Sequence, residues 1–549
     1  MSWQEDFRRN IERTRQRIME IAPDMLDLKA HHSAAVRPPP RAGAQPMSGE
    51  GTRPPTTSDL PFASRFHTTS DTARTPRASS HAQGKNPRPL RAGLLHRFCP
   101  TGENPTTPIP GICDIPDFNV PDRPPPPLPA PPPPWPNTAG NCGTTDCYDQ
   151  WMKNAPISGA GAFSPKSGCQ PVFSMTPWFD GKAQTKDCSP LRGIARLINM
   201  TVAGDKVKIA ICAWYDVAWE VVIAVWKALN RGVEVMILAH PVRDFWAQTG
   251  KNVYDALQPR LGDRWQTWSY PSTYYNILHH KFVLIERVKA GQKISAISGM
   301  NWAEFDITRN CDLLIMSSAT IFDAFEFAFF SLMYSAKYKE DNPDQPTPLF
   351  PMPPDTYDET LGVSAHFWPS HPAKPHPAVD ILSKFKPGPT TLIRVIAASW
   401  TGGATLDSLV EHRKNGSDVR ILANHHKDPC WSGGTCKLHP AGGAKGGKCE
   451  TIDAVWDSLH NNGIHWGKVG THSKILIVSG PLKTGGNRSS VFTGSTNFSE
   501  PDSQPDAWVG VHDDALIFSQ YINWWKWLCT STAMSTSGLG ACTGPQEKT

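Results

Sequence analysis

A chain of 549 residues is longer than most single domains, so we expect two or more packed units or one large unit of similar halves. The formal net charge of +5 is small for this length. It argues against a nucleic-acid binder with a strong basic surface and is compatible with an anionic substrate or a membrane surface.

The first quarter of the chain lacks the pattern of a folded core. Residues 1–30 predict one helix, and residues 31–141, rich in Pro, Ser, Thr, Arg and Gly, predict a disordered linker. Proline clusters at 124–127 and 131–134 predict a polyproline II spacer. The N-terminus lacks the basic and apolar regions of a secretory signal, and no apolar run is long enough to span a membrane. We therefore expect neither ordinary signal-directed export nor a transmembrane helix.

The 13 cysteines bear on the compartment. Many lie in loops rich in Gly, Pro, Ser and Thr, where disulfides of exported proteins often occur. These are Cys142, Cys147, Cys169, Cys188, Cys430, Cys436 and Cys449. The pattern favours secretion or export to an oxidising compartment, and a cytoplasmic enzyme with reduced thiols is the alternative. Cys212, inside an apolar strand pattern, is predicted to be a buried free thiol. The His and Cys residues between 425 and 449 could bind zinc but lack paired ligand spacings, so we predict a loop held by disulfides there and no metal site.

The folded part is predicted to be α/β and to contain the same order of elements twice. The apolar run 208–214 predicts a buried strand, residues 217–229 a helix ending at Gly232, and residues 233–238 a second strand. Residues 394–422 repeat this strand, helix and strand. Strand-helix-strand units predict largely parallel sheets flanked by helices. The proline-rich stretch near 345 is the natural join, which predicts halves at 142–345 and 346–549.

One motif follows in each copy. The first copy has His279-x-Lys281 at the start of an apolar strand and then Ser298-Gly299-Met300-Asn301, and the second has His472-x-Lys474 and then Gly494-Ser495-Thr496-Asn497. Because side chains alternate along a strand, each His faces the same side as its Lys. Beyond each Asn, an aromatic residue, a Glu and an Asp recur at equal offsets. His425-x-Lys427 has no such context. Two matching half-sites predict one two-fold centre between the halves.

These motifs resemble the phospholipase D superfamily, whose pattern is His-x-Lys-x4-Asp followed by Gly-Ser-x-Asn, twice per active site. The resemblance covers roughly residues 200 to 530. It implies a reaction without metal or cofactor, in which one His forms a phosphohistidine and the other protonates the leaving alkoxide. It also implies that Lys281, Lys474, Asn301 and Asn497 hold the phosphoryl oxygens, which agrees with the chemistry of two cations and two amides around one anion.

The chain departs from the family pattern at several positions. Glu286 and Ser479 stand where the family has the Asp of the motif, which marks a divergent member. The family also has a carboxylate behind a catalytic His. Asp312 is predicted to fill that place in the first copy and Asp506, with an altered spacing, in the second. Since Asp312 has the family's position, His279 is predicted to be the nucleophile and His472 the acid.

These observations predict a phosphodiester hydrolase or transferase. The preferred interpretation is a phospholipase D-like enzyme that acts on phospholipids, with a membrane surface as a further partner. The alternatives are a nuclease of the same superfamily and an inactive module that binds phosphate or lipid. A nuclease would gain from a concentrated basic track, which residues 142–549 lack. Because each chain carries both motifs, we predict a monomer. An exported effector would account for the helix, the spacer and the loop cysteines together.

Overall fold

The computed structural model describes residues 157–531, except for 158, 180–181, 241–246, 269–277, 342–351, 369–375, 399–403, 425–458, 460 and 499–504. All described residues belong to one compact unit. The predicted N-terminal helix, the predicted linker at 31–141 and the loop with Cys430, Cys436 and Cys449 lie outside the described residues, as do Cys142 and Cys147.

The first half of the folded part contains one sheet and a small hairpin. Its strands are β1 (Cys169–Phe173), β2 (Trp178–Phe179), β3 (Lys182–Ala183), β4 (Lys206–Ile211), β5 (Glu234–Ala239), β6 (Trp265–Thr267), β7 (Lys281–Arg287), β8 (Gln292–Ser298) and β9 (Asp312–Met316). Its helices are α1 (Ser189–Asn199), α2 (Trp219–Asn230), α3 (Ala247–Leu261), α4 (Glu304–Ile307) and α5 (Ala319–Asp341). The seven-stranded sheet has the order β1-β9-β8-β7-β4-β5-β6, while β2 pairs with β3.

The second half repeats this plan in an eight-stranded sheet. Its strands are β10 (Thr356–Asp358), β11 (Val363–Trp368), β12 (Leu392–Ala397), β13 (Asp418–Asn424), β14 (His465–Val469), β15 (Lys474–Pro481), β16 (Asn487–Gly494) and β17 (Asp506–His512). Its helices are α6 (Pro377–Ser383), α7 (Ala404–Lys414) and α8 (Ala515–Ser531). The order is β10-β11-β17-β16-β15-β12-β13-β14. The predicted duplication is thus present in the sheets.

Both sheets are mixed, as predicted, but the prediction that they are largely parallel is wrong. Among the described strands, only β4–β5, β5–β6, β12–β13 and β13–β14 pair in parallel. The strand with each His-x-Lys motif instead continues through a short turn into the strand that leads to Asn, and a short turn joins only antiparallel neighbours. Gly291 and Gly485 hold these turns at φ values of +62° and +101°, which favour glycine.

The apolar pattern of the motif strands explains how the layers pack. Phe282 and Leu284 of β7 enter a core that also contains Ile475 and Ile477 of β15, so the two halves share this core. The alternate residues of the same strands face outward to separate clusters, one with α1 and α2 and one with α6 and α7. Each His-x-Lys strand is therefore covered on both faces, which fixes its end in space.

Helix α8 joins the halves from the C-terminal side. Trp524 stacks on Phe173 of β1 with ring centroids 4.8 Å apart, and its indole N–H donates to the Ser174 carbonyl at 3.3 Å. Trp524 and Trp525 are each 3% exposed, so this Trp-rich helix packs into the core. Among the described residues, no helix has both the length and the apolar character that a membrane crossing requires.

The described cysteines fall into two groups. Cys188 and Cys529 are disulfide-bonded, whereas Cys169, Cys212 and Cys311 are free thiols. Cys212 is only partly buried, and it follows directly after β4 at the edge of the sheet that carries the motifs.

Candidate active site

The sheets bring the two motifs to equivalent places. Lys281 is the first residue of β7 and pairs with Ile211, the last residue of β4. Lys474 is the first residue of β15 and pairs with Ala397, the last residue of β12. Each His-x-Lys motif thus lies at the start of a central strand, beside the end of its antiparallel neighbour, β4 or β12.

Backbone hydrogen bonds join the halves at these strand ends. The His279 N–H donates to the Pro505 carbonyl at 3.1 Å, and the His472 N–H donates to the Asn310 carbonyl at 2.9 Å. A Cβ on Gly299 would lie 3.1 Å from the Gly494 carbonyl oxygen, so a side chain there would press the halves apart. The two motifs therefore share one centre with approximate two-fold symmetry.

His279 is oriented by a carboxylate of the second half. Its Nδ1 lies 2.9 and 3.0 Å from the two Asp506 carboxylate oxygens. Burial opposes ionisation of Asp506, but the charges of His279 and Lys281 and the hydrogen bond outweigh it and lower the pKa of that carboxyl. Burial lowers the pKa of His279 to about 4, although Asp506 acts to raise it. At neutral pH the imidazole is therefore neutral, with Nδ1–H donating to Asp506 and Nε2 holding a lone pair.

His472 has a different set of partners. Its Nδ1 lies 3.1 Å from the Gly299 carbonyl oxygen and 3.2 Å from Asp306 Oδ1, both in the first half. Burial, Lys474 and Arg309 hold the pKa of His472 well below its ordinary value. Burial raises the pKa of Asp306 to about 6. The halves therefore exchange carboxylates, but the contact with His472 is longer and shared with a carbonyl.

The two lysines lie close to their own histidines. Lys281 Nζ donates to the His279 carbonyl at 2.6 Å, and Lys474 Nζ donates to the His472 carbonyl at 2.7 Å. Burial and then Lys281 lower the pKa of Lys474 to about 7. The effect of Lys281 on the pKa of Lys474 indicates that the two ammonium groups lie near each other, as a bound phosphodiester requires.

The two asparagines supply polar atoms without internal partners. The Oδ1 atoms of Asn301 and Asn497 are buried and have no hydrogen-bond partner within the described part of the chain. The backbone N–H of Asn301 donates to Asp306 Oδ2 at 2.5 Å, which fixes the turn after β8. Among the predicted residues, His279, His472, Lys474 and Asp506 make contacts across the junction of the halves. Lys281 is the first residue of β7, and Asn301 and Asn497 follow the ends of β8 and β16.

The prediction that Asp312 lies behind His279 is wrong, because its carboxylate contacts other side chains. Its carboxylate accepts hydrogen bonds from Ser473 at 2.6 Å, Thr493 at 2.5 Å and Tyr521 at 3.0 Å. Burial raises its pKa, and these three donors act against that shift. Asp312 therefore fastens the first half to β15, β16 and α8.

The register of the strands explains why the sequence assigned Asp312 to His279. Ser298 pairs with Leu313 across β8 and β9, and Gly494 pairs with Trp508 across β16 and β17. The position equivalent to Asp506 in the first half is therefore Cys311, and Asp306 of α4 supplies the carboxylate. Asp306 had a signal in the sequence, since it belongs to the repeated stretch after Asn301, but the sequence reasoning gave it no role.

Two further residues lie near the centre. His240 follows β5, and burial lowers its pKa to about 4, with contributions from His279 and Lys281. Cys212 follows β4, and burial raises its pKa while Lys281 and Asp506 act on it in opposite directions. Both stand where the parallel strands end, a place where α/β sheets commonly present side chains to ligands.

A comparison with protein families identifies part of the chain. Residues 196–332 match a family model described as cardiolipin synthase, PLD-like domain. That segment contains His279, Lys281 and Asn301 of the site. No curated protein sequence is significantly similar to the chain.

Solved structures show weaker likenesses. Phosphatidylserine synthase from Haemophilus influenzae is 12% identical with a TM-score of 0.43, over 70% of this chain and 91% of that chain. Nuc from Salmonella typhimurium, a phospholipase D family member, is 20% identical with a TM-score of 0.22, over 31% and 95%. Polyphosphate kinase from Porphyromonas gingivalis is 13% identical with a TM-score of 0.36, over 61% of this chain. This chain spans only 47% of that kinase.

Superfamily members with the PLD-like domain are phosphodiesterases or phosphotransferases. The match shows a PLD-like domain over residues 196–332 and confirms the resemblance to the phospholipase D superfamily that the motifs indicated.

Proposed function

We propose that this protein cleaves or transfers phosphodiesters through a phosphohistidine formed on His279. The observation that carries the proposal is the pairing of His279 Nδ1 with both carboxylate oxygens of Asp506, at 2.9 and 3.0 Å. A carboxylate at Nδ1 fixes the tautomer whose Nε2 lone pair attacks. Lys281, Lys474 and the amides of Asn301 and Asn497 would supply the cations and donors that stabilise a phosphoryl transition state.

In the first step, Nε2 of His279 attacks phosphorus, the N–P bond forms and the bond to the leaving oxygen breaks. The leaving oxygen takes a proton from His472. In the free protein the charges of Lys474 and Lys281 help to keep His472 neutral. A bound diester anion counteracts those charges and raises the pKa of His472, so that substrate binding itself prepares the acid.

In the second step, His472 acts as the base. It removes a proton from water or an alcohol, whose oxygen attacks phosphorus as the N–P bond to His279 breaks. Water gives hydrolysis and an alcohol gives transfer of the phosphoryl group. The side-chain amides of Asn301 and Asn497, whose Oδ1 atoms are buried without a hydrogen-bond partner in the described part of the chain, would donate from their N–H₂ groups to the equatorial oxygens. Because one chain supplies both histidines, a monomer suffices for the whole cycle.

We propose a phospholipid as the substrate class, at a membrane surface, and the low net charge of +5 supports it. A nucleic acid is the second candidate, since its diester would fit the same four donors. The rival of another class is an inactive module that binds phosphate. The neutral, carboxylate-paired His279 favours an enzyme over this rival, because binding alone needs no oriented lone pair.

The test is incubation of the full chain with a panel of phospholipid vesicles, plasmid DNA and a small chromogenic diester, with and without excess chelator. We expect turnover of the small diester and of phospholipid that persists in chelator, and none in the His279→Asn/His472→Asn double variant. Cleavage of DNA alone would assign the nuclease. Absence of turnover on every diester, with retained binding of the same compounds, would assign the binding module.

A further inference from the structure

One side of the centre carries a group of metal-ligating side chains that the reaction does not use as a group. Asp306, Cys311 and His472 each present a donor atom, and these atoms all lie within 4.8 Å of one another. Asp306 and Cys311 are fully buried, and the His472 side chain is 15% exposed. The Cys311 thiol donates to the Asp306 backbone carbonyl at 3.7 Å, which holds the thiol beside the carboxylate.

The same place in the other half has no thiol. By register Cys311 corresponds to Asp506, which contacts His279 directly. The first half thus replaces one carboxylate by a thiol and adds the Asp306 carboxylate from α4. Within the described residues, this asymmetry gives His472, but not His279, a neighbouring carboxylate and thiol with donor atoms close enough to form one set.

We propose that this cluster is an inhibitory site for a thiophilic divalent cation such as Zn²⁺. Imidazole, carboxylate and thiolate are the usual zinc ligands, and three protein ligands leave a fourth position for water. Tetrahedral coordination needs donor atoms roughly 3.5 Å apart, which small side-chain rotations achieve from the present separations. Binding releases the thiol proton of Cys311 to solvent, while the neutral imidazole of His472 keeps one proton, now on Nε2, and offers the Nδ1 lone pair to the ion. Thiolate and carboxylate then balance the charge of the ion.

Lys474 limits the affinity of this site. Its Nζ lies 3.2 Å from His472 Nδ1 and would repel a cation at that nitrogen. Because the ammonium must turn away or lose its proton, we infer reversible, weak capture that inhibits at raised zinc concentration, and no permanent resident ion. A phosphodiester needs the Lys474 ammonium in place, whereas the ion needs it to turn away, so a bound phosphodiester would compete with the ion.

The effect on turnover follows from the atom that is occupied. An ion on Nδ1 of His472 displaces the hydrogen bond to the Gly299 carbonyl, which now measures 3.1 Å, and turns the imidazole away from the leaving oxygen. The inhibition rests on the proposed function, whereas binding of the ion does not. The test therefore needs one readout without activity and one with it.

The first readout is the absorption spectrum of the metal-free full chain titrated with Co²⁺. We expect a thiolate-to-cobalt charge-transfer band and the visible bands of a tetrahedral site, both lost in Cys311→Ser. Cys169→Ser is the matched control, since Cys169 is also a buried free thiol but pairs with Met316 at the opposite end of β9. The Cys169→Ser control should keep both the charge-transfer band and the visible bands. If wild type and Cys311→Ser give the same spectrum, the site does not exist.

The second readout is zinc inhibition of diester turnover, with each variant compared with its own metal-free rate. We expect Cys311→Ser to need at least about tenfold more Zn²⁺ for half inhibition, Cys169→Ser to match wild type, and chelator to restore the rate. Equal inhibition of wild type and Cys311→Ser would overturn the proposal even where turnover confirms the enzyme. A Co²⁺ spectrum that requires Cys311, in a protein without turnover, would keep the site and reject the proposed function.

Discussion

His279 and Asp506 lie in different halves of the chain, and the imidazole of one contacts both carboxylate oxygens of the other, at 2.9 and 3.0 Å. The contact joins a residue just before β7 to the first residue of β17. Because His472 in turn contacts Asp306, each half completes the histidine of its partner half. Neither half alone orients its own motif histidine, so the interface between the halves is a requirement for the site and not only for stability.

The first prediction compares two buried carboxylates. Asp506→Asn keeps the shape but loses the charge that holds the His279 tautomer, so we expect kcat on the small diester to fall by about 10²–10⁴-fold with little change in Tm. Asp312→Asn leaves the hydroxyls of Ser473, Thr493 and Tyr521 with a weaker acceptor, and should cost about 2–4 kcal/mol of stability. Folded Asp312→Asn should retain most of its kcat.

Denaturant unfolding and steady-state kinetics on both variants check this. A collapse of kcat in folded Asp312→Asn, with Asp506→Asn nearly unaffected, would restore the sequence-based assignment of Asp312 behind His279.

The motif strands, their duplication and the side chains that meet at the centre could be predicted from the sequence, because alternation and local spacing determine where they lie on a strand. The carboxylate that contacts each motif histidine could not be predicted from the sequence. Several polar residues lie at or just before the starts of β9 and β17, namely Asp306, Cys311, Asp312 and Asp506. Only the register between strands that are distant in sequence decides which of them contacts a motif histidine. The parallel character of the sheets was overestimated for a related reason, since the strand-helix-strand unit forms only one side of each sheet.

The second prediction concerns the positions where the family motif has Asp. Glu286 pairs with Lys206 at the far end of β7, with Nζ and Oε2 3.7 Å apart, and Ser479 pairs with Leu392. Five residues along a strand place them roughly 17 Å from the motif lysines. We expect Glu286→Asp and Ser479→Asp to change kcat/KM by less than about threefold, because at that distance neither carboxylate affects phosphoryl transfer. A gain above tenfold in either variant would show that this position does act on the site.

The third prediction is that the fold is sensitive to acid. Burial is the main cause that lowers several histidine pKa values, to about 4 or, for one of them, about 3. They are His240, His279, His376 and His512 at about 4 and His280 at about 3. In the unfolded chain a histidine titrates near 6.5, so below that pH the unfolded state binds more protons. The contribution of these neutral histidines to the free energy of unfolding is therefore fully present above pH 6.5. It is lost as pH drops towards 4, by up to about 1.4 kcal/mol per histidine per pH unit.

His280 offers a single-site check of that dependence. It is fully buried, and its ring nitrogens have no hydrogen-bond partner within the described residues. We expect the loss of unfolding free energy between pH 7 and pH 5 to be about 2 kcal/mol smaller in His280→Leu than in wild type. Urea unfolding at both pH values measures it. Parallel stability curves for the two proteins would mean that His280 does not remain neutral in the fold.

The last prediction concerns which histidine carries the phosphoryl group. His279 has the ionised Asp506 at Nδ1, whereas His472 has a shared and longer contact with Asp306, so His279 should attack and His472 should act as acid and then base. His472→Asn removes the base of the second step but leaves the nucleophile. With a substrate whose leaving group needs no protonation, acid-sensitive labelled adduct should therefore accumulate on His279 in this variant, detected by peptide mapping under alkaline conditions. His279→Asn should carry none, and Asp506→Asn should form the adduct more slowly than wild type. Adduct on His472 in the His279→Asn variant would reverse the two roles, and equal rates of adduct formation in wild type and Asp506→Asn would show that the carboxylate does not prepare the nucleophile.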